Sequence, residues 1–137
     1  MKPTGSPIGW SNSPTCAGEY ASPGVIVNEI EVQLHAERAA TVDSIEALTR
    51  SFTEIVTSIE GVGNDDEHDP EGATIGYERA LVASLLETAR TQLQLIDDAL
   101  TRIGEGHFGV CTECGRPVGL ERLRALPTTS TCIGCAR

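Results

Sequence analysis

Aromatic residues are scarce in this chain: one tryptophan, two tyrosines and two phenylalanines among 137 residues, with a single methionine. Only 39% of residues are apolar, thin for a large buried core, because bulky apolar side chains supply most of the burial that holds a globule together. No apolar run approaches the roughly 20 residues that a bilayer-spanning helix needs, so no membrane association is expected. Base is short as well. Ten Lys and Arg stand against twenty Asp and Glu, a net charge of −10, which excludes attachment to nucleic acid by bulk positive charge. Direct sequence-specific DNA binding is accordingly not expected. Order-breaking residues concentrate at one end, where residues 1–24 hold four prolines and four glycines and no apolar stretch fit for the core of a signal peptide. Such a segment cannot bury enough surface to offset its ordering entropy, so residues 1–27 are expected to form a disordered tail carrying Trp10 and the odd cysteine, Cys16. With no export signal, a cytoplasmic location is expected, where thiols stay reduced and paired cysteines serve metals before disulfides.

What is present is helical periodicity. Asn28 is placed to cap a helix, with Glu31 three residues on and Val27 and Val32 at the positions of a hydrophobic staple. Apolar residues then recur at Ile30, Leu34, Val42, Ile45, Leu48, Phe52, Ile55 and Ile59. From Ile45 the steps are 3, 4, 3, 4, the seam of a coiled coil, and Arg38–Ala40 interrupt it as a stutter would. Gly61 supplies a stop. A second run opens at Asp69-Pro70, a cap followed by a proline suited to the first helical position. It continues through Ile75, Leu81, Val82, Leu85, Ala89, Leu93, Ile96, Leu100 and Ile103, and Gly104 is read as its end. One narrow stripe per helix suffices to zip two helices into an antiparallel hairpin over residues 28–104. Val56, Leu86 and Leu95 beside the stripes offer a surface for a homodimeric four-helix bundle, but a monomer is the expected state.

Charge along this hairpin is uneven. Between Ser51 and Glu78 lie eight acids and no Lys or Arg, and five of the acids fall within Asp65–Glu71. An acidic loop is usually a solvated one, and Asp69 also has a local capping role. The functional reading is an acidic tip, residues 61–72, whose carboxylates at Asp65, Asp66, Asp69 and Glu71 are presented to a cation: Mg²⁺, which prefers oxygen ligands, or a basic partner surface. The pattern is not that of an EF-hand.

Past Gly104 the chain changes character. Cys111-x2-Cys114 and Cys132-x2-Cys135, with 17 residues between the pairs, have the spacing of a four-cysteine zinc site. Two knuckles, each with a glycine (Gly115, Gly134) at its turn, close a tetrahedron and leave no position for water, so the expected cofactor is one structural Zn²⁺. A short helix over Leu120–Leu126 ends at Pro127 and carries Arg122 and Arg124, candidates for contact with an acidic partner. Residues 105–137 are thus read as a zinc-finger module, and the fold class as mainly α.

The segments DEHDPEG, ALTRIGEGHFGVC, CTECG, ERLRALP and CIGC, in that order, resemble the DksA/TraR family of zinc-finger transcription regulators. The resemblance covers residues 28–137. Its tip pattern D-x-x-D-x-A is matched at Asp66 and Asp69, with Glu71 where the alanine would stand. The resemblance implies a non-enzymatic regulator that binds bacterial RNA polymerase and inserts the coiled coil into its secondary channel to modulate initiation. It places Asp65, Asp66, Asp69 and Glu71 near the polymerase active site, and implies ppGpp as a co-effector for some members. Two alternatives belong to other classes: a transcript-cleavage factor delivering Mg²⁺ with the tip carboxylates, and a dimeric zinc-ribbon adaptor between proteins.

Overall fold

The computed structural model describes residues 23–61 and 70–136; of Pro23, Pro70 and Glu71 it describes the backbone. Two long helices and a short one make up nearly all of the regular structure: α1 (Pro23–Gly61), α2 (Pro70–Glu105) and α3 (Leu120–Ala125). Among the described residues there is no strand, only an isolated antiparallel bridge between Val110 and Pro117. The fold is the expected one, mainly helical, with a hairpin of two long helices and a four-cysteine module. No helix among the described residues is long and apolar enough to cross a membrane.

The chain divides into two compact units, one joining residues up to Glu37 with Leu95–Arg137, the other formed by Arg38–Gln94. In the first, Ile26, Ile30 and Leu34 of α1 are buried with Ile96 and Ala99 of α2 and with Phe108, Cys111, Val118 and Leu123. The C-terminal module therefore has no core of its own. It shares one with the two helices, and each fully buried aliphatic there contributes on the order of 1.5–3 kcal/mol.

Helix α1 begins at Pro23, five residues before the expected Asn28 cap, so residues 23–27 are helix and not tail. The extra turn is explained by Ile26, which extends the Ile30–Leu34 row by one step of four and is buried, while a proline at the first helical position forfeits no hydrogen bond. The expected staple is absent, since Val32 is 71% exposed.

Helix α2 runs to Glu105, one residue past its expected end at Gly104. Gly104 is helical, and Gly106 takes a left-handed φ of 77°. The Gly106 N–H donates to the Ile103 carbonyl (3.2 Å) and the His107 N–H to that of Arg102 (2.9 Å), the paired bonds of a Schellman turn.

In the second unit Val42, Ile45, Leu48, Phe52 and Ile55 of α1 are half-buried, as are Ile75, Val82, Ala89 and Leu93 of α2. The most buried residue there is Leu86, at 8% exposure, while Leu85, assigned to the seam from sequence, is 47% exposed. From Val82 the buried positions then step by 4, 3, 4, 3, which keeps the seam on one side; the step of 4, 4 through Leu85 would rotate it away. Of the other residues set beside the stripes, Val56 is half-buried and Leu95 exposed. The Arg79 guanidinium lies 5.7 Å from the centre of the Phe52 ring, a cation–π contact at the heptad position between Ile75 and Val82. Around the expected stutter, Arg38, Ala39 and Ala40 are exposed and Glu37 and Thr41 half-buried. Hydroxyls of Ser44, Thr49, Thr53 and Thr57 donate to carbonyls four residues back, which satisfies them without a partner from outside the helix.

Candidate metal centre

The four cysteines are brought together by short local turns. After the Schellman turn the Phe108 N–H also donates to the Arg102 carbonyl (3.1 Å). The chain then forms a tight hairpin in which the Val118 N–H donates to Gly109 and the Cys111 N–H to Arg116, both at 2.8 Å. The first knuckle closes with the Gly115 N–H on the Cys111 carbonyl (2.9 Å), and Gly115 has a φ of 71° that a side chain would resist. In the second, the Cys135 and Ala136 N–H groups donate to the Cys132 carbonyl at 3.1 and 2.9 Å. Gly134 is not among the glycines of positive φ, so this turn does not require glycine as the first does.

All four sulfurs lie within 4.8 Å of one another, and those of Cys114 and Cys132 are 3.6 Å apart. A tetrahedral zinc at about 2.3 Å from each sulfur would space them by about 3.8 Å. The residues fit the ion, and as a closed four-sulfur set they fit it as a structural metal.

Their electrostatics agree. The backbone N–H of Cys132, with those of Cys114 and Glu113, holds the Cys111 thiol down to about 6 against its burial. Cys132 is lowered chiefly by its bond with the Cys114 sulfur. Cys135 is pushed up to about 12, first by Cys132 and then by Cys114. Clustered sulfurs cannot all ionise unaided, because each thiolate raises its neighbours. A divalent cation removes that conflict, and one structural zinc is what this donor set accommodates.

The segment entering the second knuckle is held by its backbone. Arg102, in the last turn of α2, donates from its two terminal nitrogens to the carbonyls of Thr129 and Thr128, each at 3.3 Å. The Thr112 N–H and hydroxyl donate to Ser130 at 2.9 and 3.3 Å. Arg122 donates its Nε–H to Thr131 at 2.9 Å. Four consecutive carbonyls, on half-buried residues, thereby all accept from named donors.

Of the residues singled out from sequence, the four cysteines converge. Asp65, Asp66 and Asp69 lie outside the described residues, as does the side chain of Glu71. The two candidate contact arginines separate: Arg122 is half-buried and turned onto Thr131, whereas Arg124 is exposed and pairs with Glu121 at 3.5 Å. Arg102 and Thr112 were not legible as functional. Their partners lie 26, 27 and 18 residues away, and no local motif marks such a bond.

Residues 106–137 match the model of the prokaryotic dksA/traR C4-type zinc finger. The chain is 31% identical over 88 residues to the RNA polymerase-binding transcription factor DksA of Caulobacter vibrioides, covering 64% of this chain and 62% of that one. It is 38% identical over 66 residues to the uncharacterized protein YteA of Bacillus subtilis, covering 48% and 28%. The chain thus spans less than two thirds of the length of these relatives. Among solved structures, transcription factor DksA2 of Pseudomonas aeruginosa is similar with a TM-score of 0.67 and 26% identity, covering 82% of this chain and 81% of that one.

Proposed function

We propose that the chain is a member of the DksA/TraR family of C4-type zinc-finger proteins, a non-enzymatic transcription regulator that acts by binding bacterial RNA polymerase. The observation that carries the reading is the shared core: the four-cysteine module is packed on the ends of α1 and α2 through Ile26, Ile30, Leu34, Ile96 and Leu123. The similar DksA2 structure matches this fold with a TM-score of 0.67 over 82% of this chain and 81% of its own. In this proposal Cys111, Cys114, Cys132 and Cys135 hold one structural Zn²⁺, whose task is to stabilise the module. The hairpin enters the secondary channel with Asp65, Asp66, Asp69 and Glu71 at its acidic turn, where carboxylates act on the basic, Mg²⁺-bearing surroundings of the active site. Arg124 is the better candidate for a polymerase contact, since Arg122 is engaged within the module. The protein works as a cytoplasmic monomer.

Co-purification with core RNA polymerase, followed by transcription in vitro, tests the proposal. The wild-type chain is expected to bind and to change the lifetime of promoter complexes. Asp66→Asn with Asp69→Asn is expected to keep binding and lose that effect. Absence of binding would refute the reading, and RNA shortening in stalled complexes would replace it with the cleavage-factor alternative. Repeating the transcription assay with ppGpp reports whether the nucleotide acts with this chain.

A further inference from the structure

The zinc site is supported by an arginine that no cysteine motif would point to. Arg102 lies on α2, outside both knuckles, yet all three of its side-chain nitrogens are engaged. Its Nε–H donates to the Asp98 carbonyl in its own helix at 3.3 Å. Its terminal nitrogens reach Thr129 and Thr128, three and four residues before Cys132. Its own carbonyl accepts from His107 and Phe108, four and three residues before Cys111. One residue therefore fixes the chain entering each cysteine pair, the first through its main chain and the second through its side chain. The guanidinium is partly buried, and burial lowers its pKa against the opposing attraction of Asp98. The two carbonyls replace the water it has lost.

We propose that Arg102 is a positioning residue for zinc retention: by holding Thr128 and Thr129 it keeps Cys132 and Cys135 in register with the first knuckle, so that the metal leaves slowly. A zinc–thiolate bond that breaks re-forms quickly when its sulfur cannot move away, and release requires the second pair to swing out together. The planar fork of Arg spans two neighbouring carbonyls at once. The single ammonium of Lys is a point donor and cannot hold both in the same geometry. Groups behind metal ligands typically change metal affinity by about 10–100-fold when removed. The inference rests on the four cysteines holding the zinc and is independent of any binding to polymerase.

The test is the rate at which the full-length zinc-loaded protein gives up its metal to a chromogenic chelator at fixed pH, with far-UV circular dichroism recorded alongside. Arg102→Ala is expected to release zinc at least about tenfold faster than wild type. Arg102→Lys, which keeps the charge and the helix, is expected to release it about threefold faster or more, with helicity unchanged. Arg90→Ala, on an exposed arginine of the same helix, is the control and should match wild type. The lysine variant is decisive should the alanine variant not fold. Wild-type release from Arg102→Lys overturns the proposal. So does acceleration that appears only together with loss of helicity, since that would make Arg102 a general fold stabiliser.

Discussion

Arg122 and Thr131 are joined by a hydrogen bond of 2.9 Å, from the guanidinium Nε–H of α3 to the carbonyl of the residue directly before Cys132. This bond ties the short helix between the knuckles to the second knuckle, and it commits to the interior an arginine that looks from sequence like a surface contact.

Removal of that donor should destabilise the module. Arg122→Ala leaves the Thr131 carbonyl with only the Thr129 hydroxyl at 3.3 Å, and a cost of about 1 kcal/mol is expected. Arg124→Ala removes an exposed pair with Glu121 and should change stability by less than about 0.5 kcal/mol. Thermal melts of the zinc-loaded variants compare the two.

The two knuckle glycines should respond differently. Gly115→Ala places a side chain at a φ of 71°, at a cost of about 1–2 kcal/mol. Gly134→Ala has no such strain, and its Cβ would sit 3.9 Å from the Cys132 sulfur, an ordinary contact. Zinc affinity by chelator competition is expected to fall for Gly115→Ala and to stay near wild type for Gly134→Ala.

Adjacent leucines in α2 offer a direct test of seam register. Leu86→Ala removes a buried side chain and should cost about 2–5 kcal/mol. Leu85→Ala, on an exposed one, should cost well under 1 kcal/mol. Urea unfolding followed by circular dichroism distinguishes them, and equal losses would contradict the register.

Zinc binding should weaken as pH falls. The Cys111 thiolate is favoured by the fold, which takes its pKa from 9.0 down to about 6. Its contribution is complete above pH 9 and is lost as pH falls through about 6, where protons compete with the metal. Apparent affinity measured from pH 7.5 to 5 should drop most steeply below about 6.

Chelation should act locally. With the metal removed, the module retains one six-residue helix and a single bridge as its regular structure, too little to hold two knuckles against the entropy of the chain. Most of the far-UV helical signal should persist, because α1 and α2 carry nearly all the helix. Proteolysis should become rapid within residues 107–136.

The cysteine site was legible because its chemistry is written locally, in two C-x2-C pairs at a spacing that only a few metal sites share. The helices were legible through their periodicity. Leu85 and Leu86 were confused because neighbouring leucines satisfy the same periodicity, and only the partner helix decides which one is covered. The start of α1 was misplaced for a related reason: Ile26 is buried in a cluster that includes Ile96, Phe108 and Leu123, residues some 70 to 100 positions later. Arg102 could not be read at all, since its value lies in carbonyls, and every residue has one.

That last point bears on how such a module can change over evolutionary time. Thr128, Thr129, Ser130 and Thr131 are each gripped by the main-chain oxygen, and a main-chain oxygen carries no record of the side chain beside it. Apart from Thr129, whose hydroxyl donates to the Thr131 carbonyl, their identities are therefore freer to drift than their hydrogen bonding suggests. Their number is not. Inserting or deleting one residue between Leu126 and Cys132 would displace every donor–acceptor match at once, so descendants of this chain should conserve the length of the segment more strictly than its letters.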